Sequence, residues 1–217
     1  MKIAVVAPFY NEEKHLDKFI KDVRKTKLPF FLVDDGSTDN SINVVKKHKI
    51  KTLTHKINLG KGAAMKTGAE AAFSQGFDAV VFIDTDGQHK FSDLPKFVKA
   101  LKNFEIVFGS RNMEYGVPLV RYLGNKFASL LISLLFGIYV SDLLCGYRAL
   151  TKKAYEKVKW ESSGYAVETE MVIRSVKAGL KHCEVPVATV YLDNIKGVSL
   201  MDAFGILFQV VKWKINL

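Results

Sequence analysis

Two carboxylates two residues apart, Asp84 and Asp86, close the stretch Ala79–His89 and are the groups in this chain best placed to do chemistry. Hard oxygen donors at that spacing suit Mg2+ or Mn2+, with substrate phosphate oxygens completing the shell. The residues before them decide whether this is more than a polar turn. Val80, Val81, Phe82 and Ile83 form a short apolar run, the composition of a strand buried on both faces of a mainly parallel sheet. Ligands of open α/β sheets collect beyond the carboxyl ends of the strands, where this run delivers both aspartates. If the strand continues through them, their side chains point the same way. Taken alone, Asp-x-Asp before a glycine reads better as a solvated turn, and its position after a buried strand reverses that reading.

The elements that must position these groups follow from the chain pattern. Ile3–Ala7 is a strand stopped by Pro8, and Asn11 is placed to cap a helix through about Lys25, with Glu12 and Glu13 favouring its positive end. Phe30–Val33 is a second strand, and Asp39 or Ser41 can cap a helix through Lys47. Leu53–Thr54 is a weak third strand. Asn58–Gly62 opens an alanine-rich helix, Ala79–Asp84 is the fourth strand, Ser92–Asn103 a helix, and Ile106–Phe108 a strand running into Gly109-Ser110-Arg111. Strand and helix alternate throughout, which implies βαβ units. Polar clusters then end several strands: Pro8–Glu12, Asp34–Asp39, Asp84–His89 and Gly109–Arg111. Alternation alone gives α/β architecture but does not require carboxylates at three such ends, so the clusters point to an active site. Beyond them, Leu119–Phe136, Lys152–Val158 and Val167–Ala178 read as helices, the last stopped by Gly179. Cys145–Leu150 and Glu184–Tyr191 read as strands, with Pro186 suiting a sheet edge, and Leu200–Trp213 is amphipathic.

Composition narrows the classes. The chain has 217 residues and a formal net charge of +10, which speaks to partners: nucleic acid, an anionic membrane surface or phosphorylated substrates. The lysines are spread out and no nucleic-acid recognition signature is present, which argues against nucleic acid. Cys145 and Cys183 are the two cysteines, with no C-x-x-C spacing, so neither a disulfide scaffold nor a zinc site is expected and a reducing compartment fits. There is no G-x-G-x-x-G after the first strand, no Walker lysine and no nucleophile motif. Met1–Pro8 runs into a strand rather than a basic leader, and the apolar run Phe127–Val140 is short of a bilayer span.

The segments APFYNEE, VDDGSTDNS, NLGKGAA, DTDGQH and GSR occur here in the order seen in family 2 glycosyltransferases of the GT-A fold, which this chain resembles. The match is closest to the polyprenyl-phosphate (dolichol-phosphate mannose or glucose synthase-like) branch and continues through SDLLCGYRAL, ETEM and HCEVPV. The resemblance implies an α/β GT-A (Rossmann-like) fold in a single catalytic domain over 1–217. Residues 1–111 would form the nucleotide-sugar half, and 112–217 the acceptor half with candidate interfacial helices. It implies an inverting, metal-dependent hexosyltransferase using Mg2+ or Mn2+. The donor would be a nucleotide-diphosphate sugar (GDP-mannose or UDP-glucose-like) and the acceptor a polyprenyl or dolichyl phosphate. Such an enzyme would be cytoplasmic, held peripherally at the cytoplasmic face of a membrane by its anionic surface. The rival readings are a soluble glycan or protein acceptor, or a basic nucleic-acid-binding protein without catalysis.

The same resemblance suggests residue roles. Pro8, Tyr10 and Glu12 would line the nucleotide pocket, with Asp35 near base or ribose, although Tyr10 also reads as a helix-cap aromatic and Asp35 as the organiser of the turn at Gly36. Lys61 would reach phosphate or lie solvated. Asp84, Asp86 and Gln88 would hold the metal, Asp84 being shared with ribose, and His89 would neighbour the metal or pack the turn. Arg111 would grip the donor diphosphate, with Arg121 and Asn125 on the acceptor phosphate; Asn125 stands where the family has a serine. Glu168 and Glu170 fall where other members place a base, so Glu170 is a catalytic candidate or an organiser of the acceptor pocket. Lys196, in place of a family arginine, would close over the donor. Asp142 and Arg148 read equally well as an ion pair ordering a loop.

Overall fold

The computed structural model describes residues 1–111, 119–188 and 200–216, with side chains for all of these except 119–121, 200–204, 207 and 216. In chain order the elements are β1 (Ile3–Phe9), α1 (Glu13–Lys25), β2 (Phe30–Asp34), α2 (Ser41–Lys47), β3 (Leu53–Thr54), α3 (Lys61–Ser74), β4 (Ala79–Phe82), α4 (Leu94–Ala100) and β5 (Ile106–Arg111). Then come α5 (Leu119–Phe136), β6 (Arg148–Thr151), α6 (Lys152–Val158), α7 (Val167–Lys177), β7 (His182–Val187) and α8 (Leu200–Asn216).

The strands form one sheet in the order β3-β2-β1-β4-β6-β5-β7. All pairings are parallel except those of β6, which runs antiparallel to both β4 and β5. Side chains alternate across the central strands, and both faces are apolar. Ala4, Val6, Val80 and Phe82 meet Met65, Ala69 and Phe73 of α3 on one side. Val5, Ala7, Val81 and Ile83 meet Leu16, Phe19 and Ile20 of α1 and Leu94 and Phe97 of α4 on the other. This two-faced burial is why β1 and β4 are almost uninterrupted apolar runs. Gly68 lets α3 lie close to the sheet, since a Cβ there would stand 2.3 Å from Val6 Cγ1.

Several boundaries differ from those the sequence predicts. β4 stops at Phe82, so Asp84 and Asp86 lie on the loop beyond it and not on a continued strand. α4 is shorter than Ser92–Asn103, because Phe91–Asp93 form a 3-10 turn and Pro95 opens the helix proper. β5 runs three residues further than Phe108, because β7 pairs with it through Arg111. β6 begins at Arg148 and not Cys145. Pro186 does sit on an edge strand, while Tyr191, the expected end of that strand, lies outside the described residues.

Asn11 does not cap α1. It has φ 54° and its side-chain oxygen accepts from the backbone N–H groups of Thr38 (2.8 Å) and Asp39 (3.2 Å). The start of α1 is instead satisfied from the β2–α2 turn, with Glu12 N–H donating to Ser41 Oγ at 2.9 Å and Glu13 N–H to Asp39 Oδ2 at 3.1 Å. The loops after β1 and β2 are thereby tied together at the carboxyl end of the sheet.

Candidate active site

The loop after β4 carries the acidic pair. Asp84 Oδ1 lies 2.7 Å from Lys61 Nζ, and the same ammonium lies 2.8 Å from Glu168 Oε1. Lys61 is the first residue of α3, and Glu168 sits in the first turn of α7. Burial alone would push the lysine towards neutrality, but Asp84 and Glu168 outweigh it and hold its pKa above the usual range. Burial likewise opposes charge on Asp84, and Lys61 and His89 outweigh that and hold its carboxyl well below the usual range. A Cβ on Gly146 would stand 2.2 Å from Asp84 Oδ2 and 2.7 Å from Lys61 Nζ, so main chain closes one side of the cluster.

Asp86 differs from Asp84. Burial, reinforced by the neighbouring Asp84 charge, raises its pKa. Its Oδ1 accepts from the Gln88 N–H at 3.0 Å, and Gln88 is itself buried. Two carboxylates that resist being charged together are a setting in which a divalent cation would be taken up favourably. Among the described residues no three His, Cys, Asp or Glu form a metal-holding group, so water or ligand oxygens would complete the shell of a cation here. The donor set fits Mg2+ or Mn2+ on those terms. His89 Nε2 is 3.7 Å from Asp84 Oδ2, and its ring packs on Tyr147, which stacks on Phe97 with centroids 4.3 Å apart. This stack pins the loop from behind.

At the end of β5, Arg111 forms a forked pair with Asp142, Nε to Oδ2 at 2.6 Å and Nη2 to Oδ1 at 2.8 Å, with its backbone N–H 3.1 Å from Oδ2. Asp142 is fully buried. Asn125 is buried too, and its amide nitrogen donates to Asp142 Oδ1 (3.2 Å) and Ser141 O (3.4 Å), which buttresses Asp142. Arg148 is not the partner of Asp142. It is completely buried and donates to the carbonyls of Cys145 (2.9 Å), Glu168 (2.6 Å) and Leu143 (2.6 Å). The segment 141–147 thus connects the Arg111 cluster to the Asp84 cluster.

On the other side of β1, Pro8 is buried, with its carbonyl accepting from Thr85 Oγ1 at 3.3 Å, and Tyr10 is exposed. Asp35 is buried, and both its oxygens are engaged: Oδ1 by His55 Nδ1 (2.7 Å) and Leu59 N–H (3.0 Å), Oδ2 by Gly60 N–H (2.8 Å). Its observed task is to fold the 55–60 loop against the turn at Gly36, whose φ is 75°.

Glu170 is equally committed. Its oxygens accept from Glu161 N–H (2.9 Å), Ser162 N–H (2.7 Å) and Arg174 Nε (2.5 Å), and it is completely buried. A carboxylate holding three donors in this way organises the chain around it. What it organises is the strap 160–163, on which the start of α3 rests: Ala63 N–H donates to Ser163 O at 3.1 Å and Trp160 Nε1 to Gly62 O at 2.9 Å. A Cβ on Gly62 would come within 2.1 Å of Ser162 O. Sequence reasoning missed the Lys61–Glu168 pair, Gly146 and His55; the paired acidic residues of ETEM were its only signal. The Arg121 side chain and all of Lys196 lie outside the described residues.

Comparison with known proteins bears on this geometry. The sequence profile of Glycosyl transferase family 2 matches residues 4–159. A UDP-N-acetylglucosamine–dolichyl-phosphate N-acetylglucosaminyltransferase of Methanococcus voltae is 30% identical, over 99% of this chain and 96% of its own. A polyprenol monophosphomannose synthase of Mycolicibacterium smegmatis is 26% identical, over 98% of this chain and 86% of its own. The crystal structure of glucosyl-3-phosphoglycerate synthase from Mycobacterium tuberculosis, in complex with Mn2+, uridine diphosphate and glucosyl-3-phosphoglycerate, superposes with a TM-score of 0.73 at 20% identity, covering 97% of this chain and 77% of that one. This likeness shows the GT-A fold.

Proposed function

The chain belongs to glycosyl transferase family 2, and from that membership we propose that it moves a hexose, with inversion, from a nucleotide-diphosphate sugar to a polyprenyl phosphate. The observation that carries this reading is the acidic pair Asp84 and Asp86 at the carboxyl rim of the sheet, joined through the 141–147 segment to the Arg111–Asp142 fork.

Asp84 and Asp86, with Gln88 beside them, would hold Mg2+ or Mn2+. The ion would supply positive charge against the diphosphate as it leaves. In the transfer a lipid-phosphate oxygen attacks the anomeric carbon from the face opposite the diphosphate. The new carbon–oxygen bond forms as the old one breaks, and the nucleoside diphosphate departs with the electron pair. The nucleophile is already an anion, so no general base is required, which accords with the engaged oxygens of Glu170. Asp142 fixes the plane of the Arg111 guanidinium, whose role is to grip the donor diphosphate. Arg121 and Lys196 remain assigned to acceptor phosphate and donor closure, with Pro8, Tyr10 and Glu12 at the nucleotide.

The acceptor half supports peripheral docking at the anionic cytoplasmic face of a membrane. On α5, Leu123, Phe127, Leu130 and Leu134 recur at helical spacing and are exposed, Leu134 by 77%. On α8, Phe208 and Ile215 are exposed by 76% and 78%. Lys126 lies over the Tyr122 and Tyr139 rings beside the first stripe, the aromatic and basic mixture of an interfacial surface. Among the described residues no helix is long and apolar enough to cross a membrane.

The test is transfer of labelled sugar from a panel of UDP- and GDP-sugars into an organic-extractable product, with polyprenyl phosphate and Mg2+ or Mn2+, with and without chelator. Metal-dependent label in the lipid phase is the expected result and names the donor. Nucleoside diphosphate release only with a water-soluble acceptor would replace the lipid reading by the soluble one. In the same assay Gly146→Ala should lose at least about tenfold in kcat/KM with the fold intact, since the added methyl meets Asp84 and Lys61. Activity within about twofold of the parent would show that the cluster tolerates displacement.

A further inference from the structure

We infer that Glu168 is a positioning residue that acts through Lys61 to set the charge of the metal site at Asp84, an inference that rests on the reading of Asp84 and Asp86 as the metal pair. Lys61 Nζ stands 2.7 Å from Asp84 Oδ1 and 2.8 Å from Glu168 Oε1. An ammonium held by Asp84 alone would cancel much of the attraction that carboxylate offers a cation. Glu168 shares the ammonium and restores it. Around Lys61 the three carboxylates Asp84, Asp86 and Glu168 leave an excess of negative charge, which favours a cation. His89, 3.7 Å from Asp84, and the buried Arg148 guanidinium, which interacts electrostatically with both Glu168 and Asp84, also face the cluster.

Three features say that the charge of Glu168, and not its shape, is what the site uses. Its Oε2 is buried and has no hydrogen-bond partner among the described residues, so the fold tolerates a carboxylate where a glutamine could accept from Lys61 equally well. Its backbone is fixed, because the Glu168 carbonyl accepts from the buried Arg148 at 2.6 Å. One side of the ammonium is closed by main chain as well, since a Cβ on Gly146 would stand 2.7 Å from Nζ.

The test is binding of Mn2+ alone to the full chain, read by the electron paramagnetic resonance signal of free Mn2+, in wild type, Glu168→Gln, Glu168→Asp and Lys61→Met. Glu168→Gln should weaken binding about tenfold, and Lys61→Met should tighten it by a similar factor. Glu168→Asp, which keeps the charge, should stay within about threefold of wild type. Structural damage would weaken binding in both charge-changing variants, so the opposite signs are the signature. Unchanged affinity in Glu168→Gln, or weakened affinity in Lys61→Met, overturns the inference while leaving the metal pair standing. If Glu168→Gln does not fold by circular dichroism, the sign in Lys61→Met decides. Absence of Mn2+ binding that Asp86→Ala abolishes, in wild type itself, removes the metal reading and this inference with it.

Discussion

Replacing Asp86 with alanine is expected to lower transfer by at least about a thousandfold, a barrier increase of about 4 kcal/mol, without weakening the fold. The loss follows from removing one of two carboxylates available to a divalent ion where no third acidic or imidazole ligand stands ready among the described residues. The unchanged stability follows from linkage. Burial and the Asp84 charge raise the Asp86 pKa above its unfolded value, so the native state binds the extra proton. Stability from this group falls as pH rises from the unfolded towards the folded pKa, and at neutral pH the ionised carboxylate opposes folding. Thermal melts at pH 7 should therefore show Asp86→Ala equal to or above the parent. Retained turnover would reject the metal role, and a melt well below the parent would show that Asp86 supports the fold.

The largest loss of stability is expected from Arg148→Met. One guanidinium serves the carbonyls of Leu143, Cys145 and Glu168, all within 2.9 Å, at a completely buried position. Methionine matches the stem but removes the guanidinium donor from three interior carbonyls. Hydrogen bonds from a charged donor, lost with their acceptors still buried, put the expected loss at about 3 kcal/mol or more. For a chain of this size that is a fall of about 6–12 °C in Tm, measured by differential scanning calorimetry. Lysine should rescue little of it, because an ammonium lacks the fork that reaches three separate carbonyls. A fall of less than about 2 °C would mean that water replaces the guanidinium at those carbonyls.

The parts of this architecture visible in the sequence are those with local causes. The apolar run Val80–Ile83, the alanine-rich α3 and the α5 boundaries Leu119–Phe136 all follow from composition and periodicity. So does the gathering of polar residues at the strand ends. What could not be read is which distant partner each polar side chain meets. Asp35 and Glu170 look like ligand residues in the chain, yet both are engaged by backbone N–H groups and side chains of loops that they hold in place. Asp142 and Arg148, close in sequence and opposite in charge, read as a pair, but the sheet gives Asp142 to Arg111 and Arg148 to three carbonyls. Asn11 has the chemistry of a helix cap, and its positive φ turns it towards the neighbouring loop. In each case a contact with another part of the chain, or a backbone twist, overrides the local preference.

The placement of β6 has a consequence for how the chain is made. Both strands that flank β5, namely β6 and β7, come from after residue 147. A ribosome that has released only the segment through Arg111 has produced a four-helix, four-strand layer able to assemble around β1, but β5 then has no neighbour on either side. Arg111 is on that strand, and Asp142, which orients it, is also still to come. Residues 1–111 therefore cannot complete the Arg111 cluster on their own during synthesis. The transferase site matures only when the later half threads a reversed strand into the gap between β4 and β5.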